Sequence, residues 1–252
     1  MAVVEGMTHV RVLPRVAAVA GAALAAAVLA APAHAGPRAP DSLFTLELGA
    51  GVVEHGVVDV SITGSPQPSH TRVEYWADNS RWRSVTRDAA SGNIVRQAYS
   101  TPTRTTYYEA GAQPRVWTFP ARSIPPLAGW APGYNRLLVQ KGLLSPVQPI
   151  TIAGIAGTLY TVPNDRKSTE QGDDKWTTDT TSADTQIALE DGTFAPLVRQ
   201  TSMDNGRYGT FVQREELVSR ERLTGSAAAS AKLSRAAAAR TVKAWRAKVR
   251  RR

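Results

Sequence analysis

Between residues 56 and 223 the chain reads in twos. Apolar and polar residues alternate over short runs, and turn residues cut each run off, which leaves room for strands and little for helices. In the first run Val58, Val60 and Ile62 fall on one side, with Val57, Asp59 and Ser61 on the other. A proline-containing stretch, 64–69, ends it. The run over 71–77 sets Val73 and Tyr75 against Arg72, Glu74 and Trp76, and Asp78-Asn79 turns the chain. Further runs follow over 81–87 (carrying Trp82), 94–99, 104–108 and 115–119, rich in β-branched and aromatic residues.

The middle breaks this rhythm. Residues 120–132 are proline-rich and read as a crossing loop. Tyr134, Leu137, Leu138 and Lys141 have helical spacing, so one short helix is expected over 133–144. A strand is expected over 150–162, with Gly154 and Gly157 marking a bulge or bend. The polar stretch 163–180 reads as a long exposed loop. In the last third, 186–190 should pair with 194–203 across Asp191-Gly192, and Asn205-Gly206 should join that strand to 207–213. A run over 217–223 closes the series, with Glu215-Glu216 as a solvated strand edge or turn. Nearly every connection is hairpin-length. The chain is therefore expected to be mainly β, an antiparallel meander forming an unclosed half barrel with one or two short helices.

The two ends differ from this body. Arg11 and Arg15, the uncharged Ala-rich run 16–31, Pro32 and Ala33-His34-Ala35 have the layout of a secretory signal cleaved before Gly36. The apolar run is shorter than the ~20 residues a spanning helix needs. Met1 and Met7 are equally good starts. The expected organisation is a cleaved leader over 1–35, a lead-in over 36–55, a β domain over 56–225 and a tail over 226–252. The formal net charge is +9, yet residues 36–225 hold 19 Lys and Arg against 20 Asp and Glu. The tail holds nine bases and no acid. The basicity belongs to the tail, which argues against a basic nucleic-acid-binding fold. The tail is either a basic helix or a disordered extension. As a helix it would set Ala238, Val242, Trp245 and Val249 on one face, with Lys243, Arg246, Lys248, Arg250, Arg251 and Arg252 around it. Such a helix suits an anionic membrane or cell-wall surface, where each base near lipid contributes about 1 kcal/mol.

Chemistry is sparse. Cysteine is absent, which excludes disulfides, thiolate metal sites and thiol catalysis. Outside the leader only His55 and His70 remain, and neither lies in a metal-binding pattern. No G-x-S-x-G elbow or phosphate-cradling glycine loop occurs. Glu170, Asp173 and Asp174 lack the spacing of a calcium loop. The expectation is a protein without catalytic residues, metal or cofactor.

Four stretches carry a family resemblance: Arg72-Val73-Glu74-Tyr75-Trp76-Ala77-Asp78-Asn79-Ser80-Arg81-Trp82-Arg83; Gly154-Ile155-Ala156-Gly157-Thr158-Leu159-Tyr160; 187–199, with Asp191-Gly192 and Pro196-Leu197; and the closing strand around 207–220. Together they resemble the LolA/LolB-like superfamily, which includes lipoprotein carriers and the sensor domain of RseB/MucB. The resemblance covers roughly 56–223. It implies an unclosed barrel whose apolar concave face, lidded by a helix or loops, holds acyl chains or the lipid part of a lipoprotein. Two departures stand out. The long helix that usually precedes the first strand is not evident in 40–54, where 43–48 is the one apolar cluster, so a lid would come from 133–144 or from the tail. The lipobox cysteine is missing, which implies a soluble or peripheral member.

The residues lead the same way. A curved sheet with one apolar face must cover it or leave a hydrophobic hollow. Burying a ten-carbon chain there is worth roughly 8 kcal/mol before ordering costs. Val60, Ile62, Tyr75, Trp82, Trp117, Leu159, Ile187 and Leu189 are the candidate lining, with ordinary core packing the rival reading, and the favoured one, for any single residue. The expected function is a secreted, envelope-associated carrier or sensor of a lipid or lipoprotein. The alternatives are a protein-interaction module of the same fold and a secreted hydrolase.

Overall fold

A computed structural model describes residues 46–120, 132–162, 183–204, 210–225 and 227–250. The leader, the proline-rich crossing, the 163–180 loop with its three acids, the Asn205-Gly206 dipeptide, Arg251 and Arg252 lie outside the described residues.

Eleven strands form one antiparallel sheet. They are β1 (Val52–Thr63), β2 (Ser69–Ala77), β3 (Trp82–Asp88), β4 (Ile94–Thr101), β5 (Arg104–Glu109), β6 (Arg115–Pro120), β7 (Ser145–Ile152), β8 (Ile155–Thr161), β9 (Ala183–Glu190), β10 (Pro196–Asp204) and β11 (Thr210–Thr224). Three helices accompany them: α1 (Pro132–Gln140), α2 (Ala227–Lys232) and α3 (Arg235–Arg250). The strand order is β6-β5-β4-β3-β2-β1-β11-β10-β9-β8-β7. Two meanders are thus joined through their first and last strands, and the sheet stays open between β6 and β7, where the chain leaves it for α1. The unclosed antiparallel sheet is the one the alternation predicts.

The turns show why. Asp78 Oδ1 accepts the backbone N–H groups of Ser80 and Arg81 at 2.8 and 2.7 Å, and so builds the β2–β3 turn from its own side chain. Asp88 does the same for Ser91 at 2.8 Å.

Three elements differ from expectation. The strand expected over 150–162 is a hairpin of β7 and β8, because Ala153 (φ 51°) and Gly154 (φ 76°) are both left-handed, as a two-residue hairpin turn requires. Between β9 and β10 the loop is longer than a dipeptide. Glu190 N–H donates to the Ala195 carbonyl at 2.8 Å, and Gly192 (φ 79°) and Phe194 (φ 61°) take the left-handed positions. Finally, β11 runs unbroken through Glu215-Glu216. Glu215 is buried opposite Val60 and Arg199, so it is neither an edge nor a turn.

One apolar cluster draws on every strand but β6. Its buried members include Val58, Tyr75, Trp82, Ala188, Leu197 and Leu217. Leu46 and Leu48 join it from the extended segment before β1, which carries no helix over its described residues. Asn79 fixes that segment by accepting from Leu48 N–H at 2.9 Å and donating to its carbonyl at 2.7 Å.

Candidate functional site

Register assigns the faces in the first meander. Gly56 lies opposite Tyr75, Tyr75 opposite Ser84, Ser84 opposite Ala98, and Ala98 opposite Tyr107, which faces Trp117. These residues share one face, and aromatic rings run along it to the open edge. Trp82 meets Tyr107 edge-on at 6.3 Å, Tyr107 stacks on Trp117 at 5.9 Å, and Phe119 packs edge-on to Tyr107 at 6.2 Å. Exposure grows along the row, from Trp82 at 7% to Phe119 at 52%. Burial pushes the Tyr107 hydroxyl pKa above its ordinary value. At the buried end, the Trp82 indole N–H has no hydrogen-bond partner among the described residues.

A polar group of side chains adjoins the row. Tyr75 Oη donates to Glu54 Oε1 at 2.9 Å, and Arg222 Nε lies 3.6 Å from Glu54 Oε2. Arg220, whose side chain is 5% exposed, bonds Glu190 at 2.6 Å. Burial first, then the Glu54 carboxylate, hold the Tyr75 hydroxyl well above the usual phenol range. Gly56 makes room for this: a Cβ there would lie 2.5 Å from the Tyr75 ring.

The predicted lining therefore divides. Tyr75 and Trp82 are buried in the main cluster, Val60 and Leu159 pack against it, and Trp117 reaches it through Tyr107. Ile62 is half-buried opposite Gln213. Ile187 and Leu189 sit in a separate cluster with Leu144, where Leu138 and Val139 of α1 pack on them. The helix expected over 133–144 is α1, and among the described residues it packs on these two rather than on the aromatic row.

The opposite face holds what alternation alone passed over. Trp76 stacks on His55 at 4.8 Å, and Lys232 Nζ sits 4.0 Å above its ring. His55 also bonds Glu74 and Glu221, at 3.1 and 2.7 Å. Val53, Trp76 and Val85 pack against Ala229 and Leu233 of the tail. Tyr99 and Tyr108 pack against Ala238 and Trp245. Tyr108 and Trp245 stack at 5.8 Å, and Tyr99 Oη donates to the Lys232 and Ser234 carbonyls. The tail is a helical cover for this face. Trp245, expected on an anionic surface, is 6% exposed and turned into the sheet. Lys243, Arg246, Lys248 and Arg250 remain exposed. The signal for this was present in the sequence, since Trp76, Tyr99 and Tyr108 fall on the side opposite the first apolar face and need a partner.

Among the described residues no group of three His, Asp or Glu side chains is placed to hold a metal ion, and no helix is long and apolar enough to cross a membrane.

No protein-family model and no curated protein sequence matches the chain. Solved structures do match. The chain is similar to MucB and to LolA-superfamily proteins. The MucB chain of the Pseudomonas aeruginosa MucA/MucB complex is 14% identical, with a TM-score of 0.41 and 70% of this chain covered. A LolA superfamily protein from Nitrosomonas europaea is 10% identical (TM-score 0.29), with 72% of this chain and 90% of that one covered. A lipoprotein-sorting protein domain from Vibrio parahaemolyticus is 11% identical (TM-score 0.29), with 71% and 88% covered. The chain spans 54%, 52% and 60% of the three MucB chains it matches.

Proposed function

We propose that this protein is an extracytoplasmic, envelope-associated carrier or sensor that holds a lipid or the acyl chains of a lipoprotein along the aromatic face of β3–β6. The observation that carries this reading is the graded row from Trp82 through Tyr107 and Trp117 to Phe119. It starts at a buried indole N–H without a partner among the described residues and ends at an exposed ring on the sheet edge. An acyl chain laid along the row buries methylenes at about 0.8 kcal/mol each. An ester or carboxyl oxygen at its inner end would accept from Trp82.

The test is displacement of a fluorescent fatty-acid probe from the purified chain by unlabelled fatty acid, with Trp82→Phe and Trp117→Ala alongside wild type. Trp117→Ala should weaken all acyl ligands several-fold. Trp82→Phe should weaken a fatty ester more than an alkane of equal length. Absence of probe binding by the wild-type chain sinks the reading.

A second reading has its own observation. The β7 edge carries Pro146 and Pro149, which block further strand pairing, whereas β6 has no proline before Pro120 and carries Phe119. A protein partner adding a strand beside β6 would meet the same aromatic row. A stable complex recovered without lipid would favour it.

A further inference from the structure

The tail helix is amphipathic in two senses. Trp245 and Val249 are turned to the sheet, and a different flank of α3 faces an open groove of about 760 Å³ against β4 and β5. Five cations line this groove: Arg104 from β5, and Arg235, Lys243, Arg246 and Arg250 from α3. None of its lining residues is acidic, and none of the five makes an ion pair among the described residues. Arg235, Ala239, Lys243, Arg246 and Arg250 follow one another at steps of three or four, so they form one ridge. That ridge is roughly 22 Å long at 1.5 Å per residue. The space between the bases is walled by small side chains, Ala238, Ala239 and Ala247, which leave the groove open to a chain of modest width.

We propose that this groove binds a linear polyanion, a flexible chain carrying phosphates at intervals along its length. Three features choose this ligand over its rivals. The cations are strung out along the ridge rather than gathered on one point, so a lone phosphate would meet only part of the set. The apolar side chains that would enter a bilayer, Trp245 above all, are spent on the sheet, and a groove engages a flat membrane poorly. Tyr99, the aromatic residue of the lining, is 2% exposed, so the groove offers no ring on which nucleic-acid bases could stack. The backbone phosphates of an uncharged-unit polymer, such as a polyol phosphate of a cell wall, have the required chemistry. This inference is independent of the acyl reading, because the groove lies on the other face of the sheet.

The experiment titrates the full chain with a dye-labelled linear inorganic polyphosphate over a range of salt concentrations. Each phosphate contact contributes a slope of about 0.7 in log K against log salt, by analogy with single-stranded polyphosphodiesters. Arg246→Gln and Arg250→Gln, both at exposed positions, should each lower the slope by about 0.7 and the double variant by about 1.4. Lys141→Gln removes an exposed charge outside the groove and should leave the slope unchanged. A Lys141→Gln loss equal to that of Arg246→Gln would reduce the effect to net charge and overturn the proposal. So would competition by orthophosphate at equal total phosphate. Tighter binding to a single-stranded oligonucleotide than to polyphosphate would overturn it in favour of nucleic acid. Retention on phosphatidylglycerol vesicles without polyphosphate binding would overturn it in favour of a membrane.

Discussion

At the scale of single residues, the centre of the sheet is organised by a close approach. Gly56 lies under Tyr75, and a Cβ would fall 2.5 Å from ring atoms of a side chain that is itself 3% exposed. Gly56→Ala should therefore cost about 1–3 kcal/mol in a urea unfolding curve, because the buried ring has nowhere to go without breaking its bond to Glu54. The same tyrosine sets an alkaline limit. Its hydroxyl is raised in the folded state, so the folded protein keeps a proton that the unfolded chain releases near pH 10. That contribution is complete below about pH 10 and is lost as pH rises through the higher folded value. Stability should fall above about pH 10, and Tyr75→Phe should make the fall shallower. Tyr99 and Tyr107, also raised by burial, keep part of it. Unfolding midpoints over that range decide the matter, and an unchanged slope in Tyr75→Phe would contradict it. Period-two alternation places Tyr75 on the apolar face correctly. It cannot show that Glu54 and Arg220 share that face, because a buried carboxylate and guanidinium look like any solvated pair in sequence.

Among the elements, the tail changes character most between sequence and structure. Its alanines and bases are compatible with a free amphipathic helix, yet Trp76, Tyr99 and Tyr108 give it a surface to cover. Ser234 starts α3, its Oγ accepting from Ala237 N–H at 3.1 Å, while Tyr99 fixes the preceding turn. Trp245→Ala should then cost about 3–5 kcal/mol, as expected for a buried aromatic residue removed from a core. A urea midpoint within error of wild type would show that the helix is dispensable. Deleting 226–252 would strip an aromatic face bare, so loss of surface binding in such a truncation would report unfolding as readily as a missing contact. The hairpins were legible where the turn chemistry was strong, at Asp78-Asn79 and, in all but the length of its loop, at Asp191-Gly192. The turn at Ala153-Gly154 was not, because an alanine with positive φ is rare and the pair resembles a bend in one strand. The uninterrupted β11 was hidden by its charges: Arg214, Glu215 and Glu216 keep strand register with both β1 and β10, Arg214 bonding Glu216 along its own strand and Gln200 on β10, rather than marking a turn.

For the molecule as a whole, two arrangements matter: the strand order and the distribution of charge. Hairpin-length connections predict neighbours along the chain, and they hold within each meander. The pairing of β1 with β11 is a contact between distant segments that no local signal encodes, and it fixes where the sheet is open. Charge distribution is different, because it follows from the sequence alone once the tail is known to dock. Nine bases and no acid lie in 226–252. Against the same face stands Arg83, 5.6 Å from the Trp76 ring, whereas Arg81, which donates to the Leu233 carbonyl at 3.2 Å, is already paired with Asp78 at 2.6 Å. Arg235 stands at the positive end of the α3 dipole, with no acid in the first turn to offset it. Docking the tail thus concentrates like charge, and the packing of Leu233, Ala238 and Trp245 must overcome that repulsion. The surface ion pairs elsewhere, such as Arg72 with Asp59 and Arg136 with Glu47, are exposed and contribute little each. Repulsion therefore outweighs attraction in the salt response. Raising salt from about 0.01 to 1 M shortens the screening length from about 30 to 3 Å. The melting temperature should rise by a few degrees over that range, on the order of a 1 kcal/mol gain. Arg235→Glu should raise it at low salt and flatten the dependence, since it reverses a charge at the dipole's positive end. A melting temperature that falls with salt would mean that ion pairs, not apolar contacts, hold the tail to the sheet.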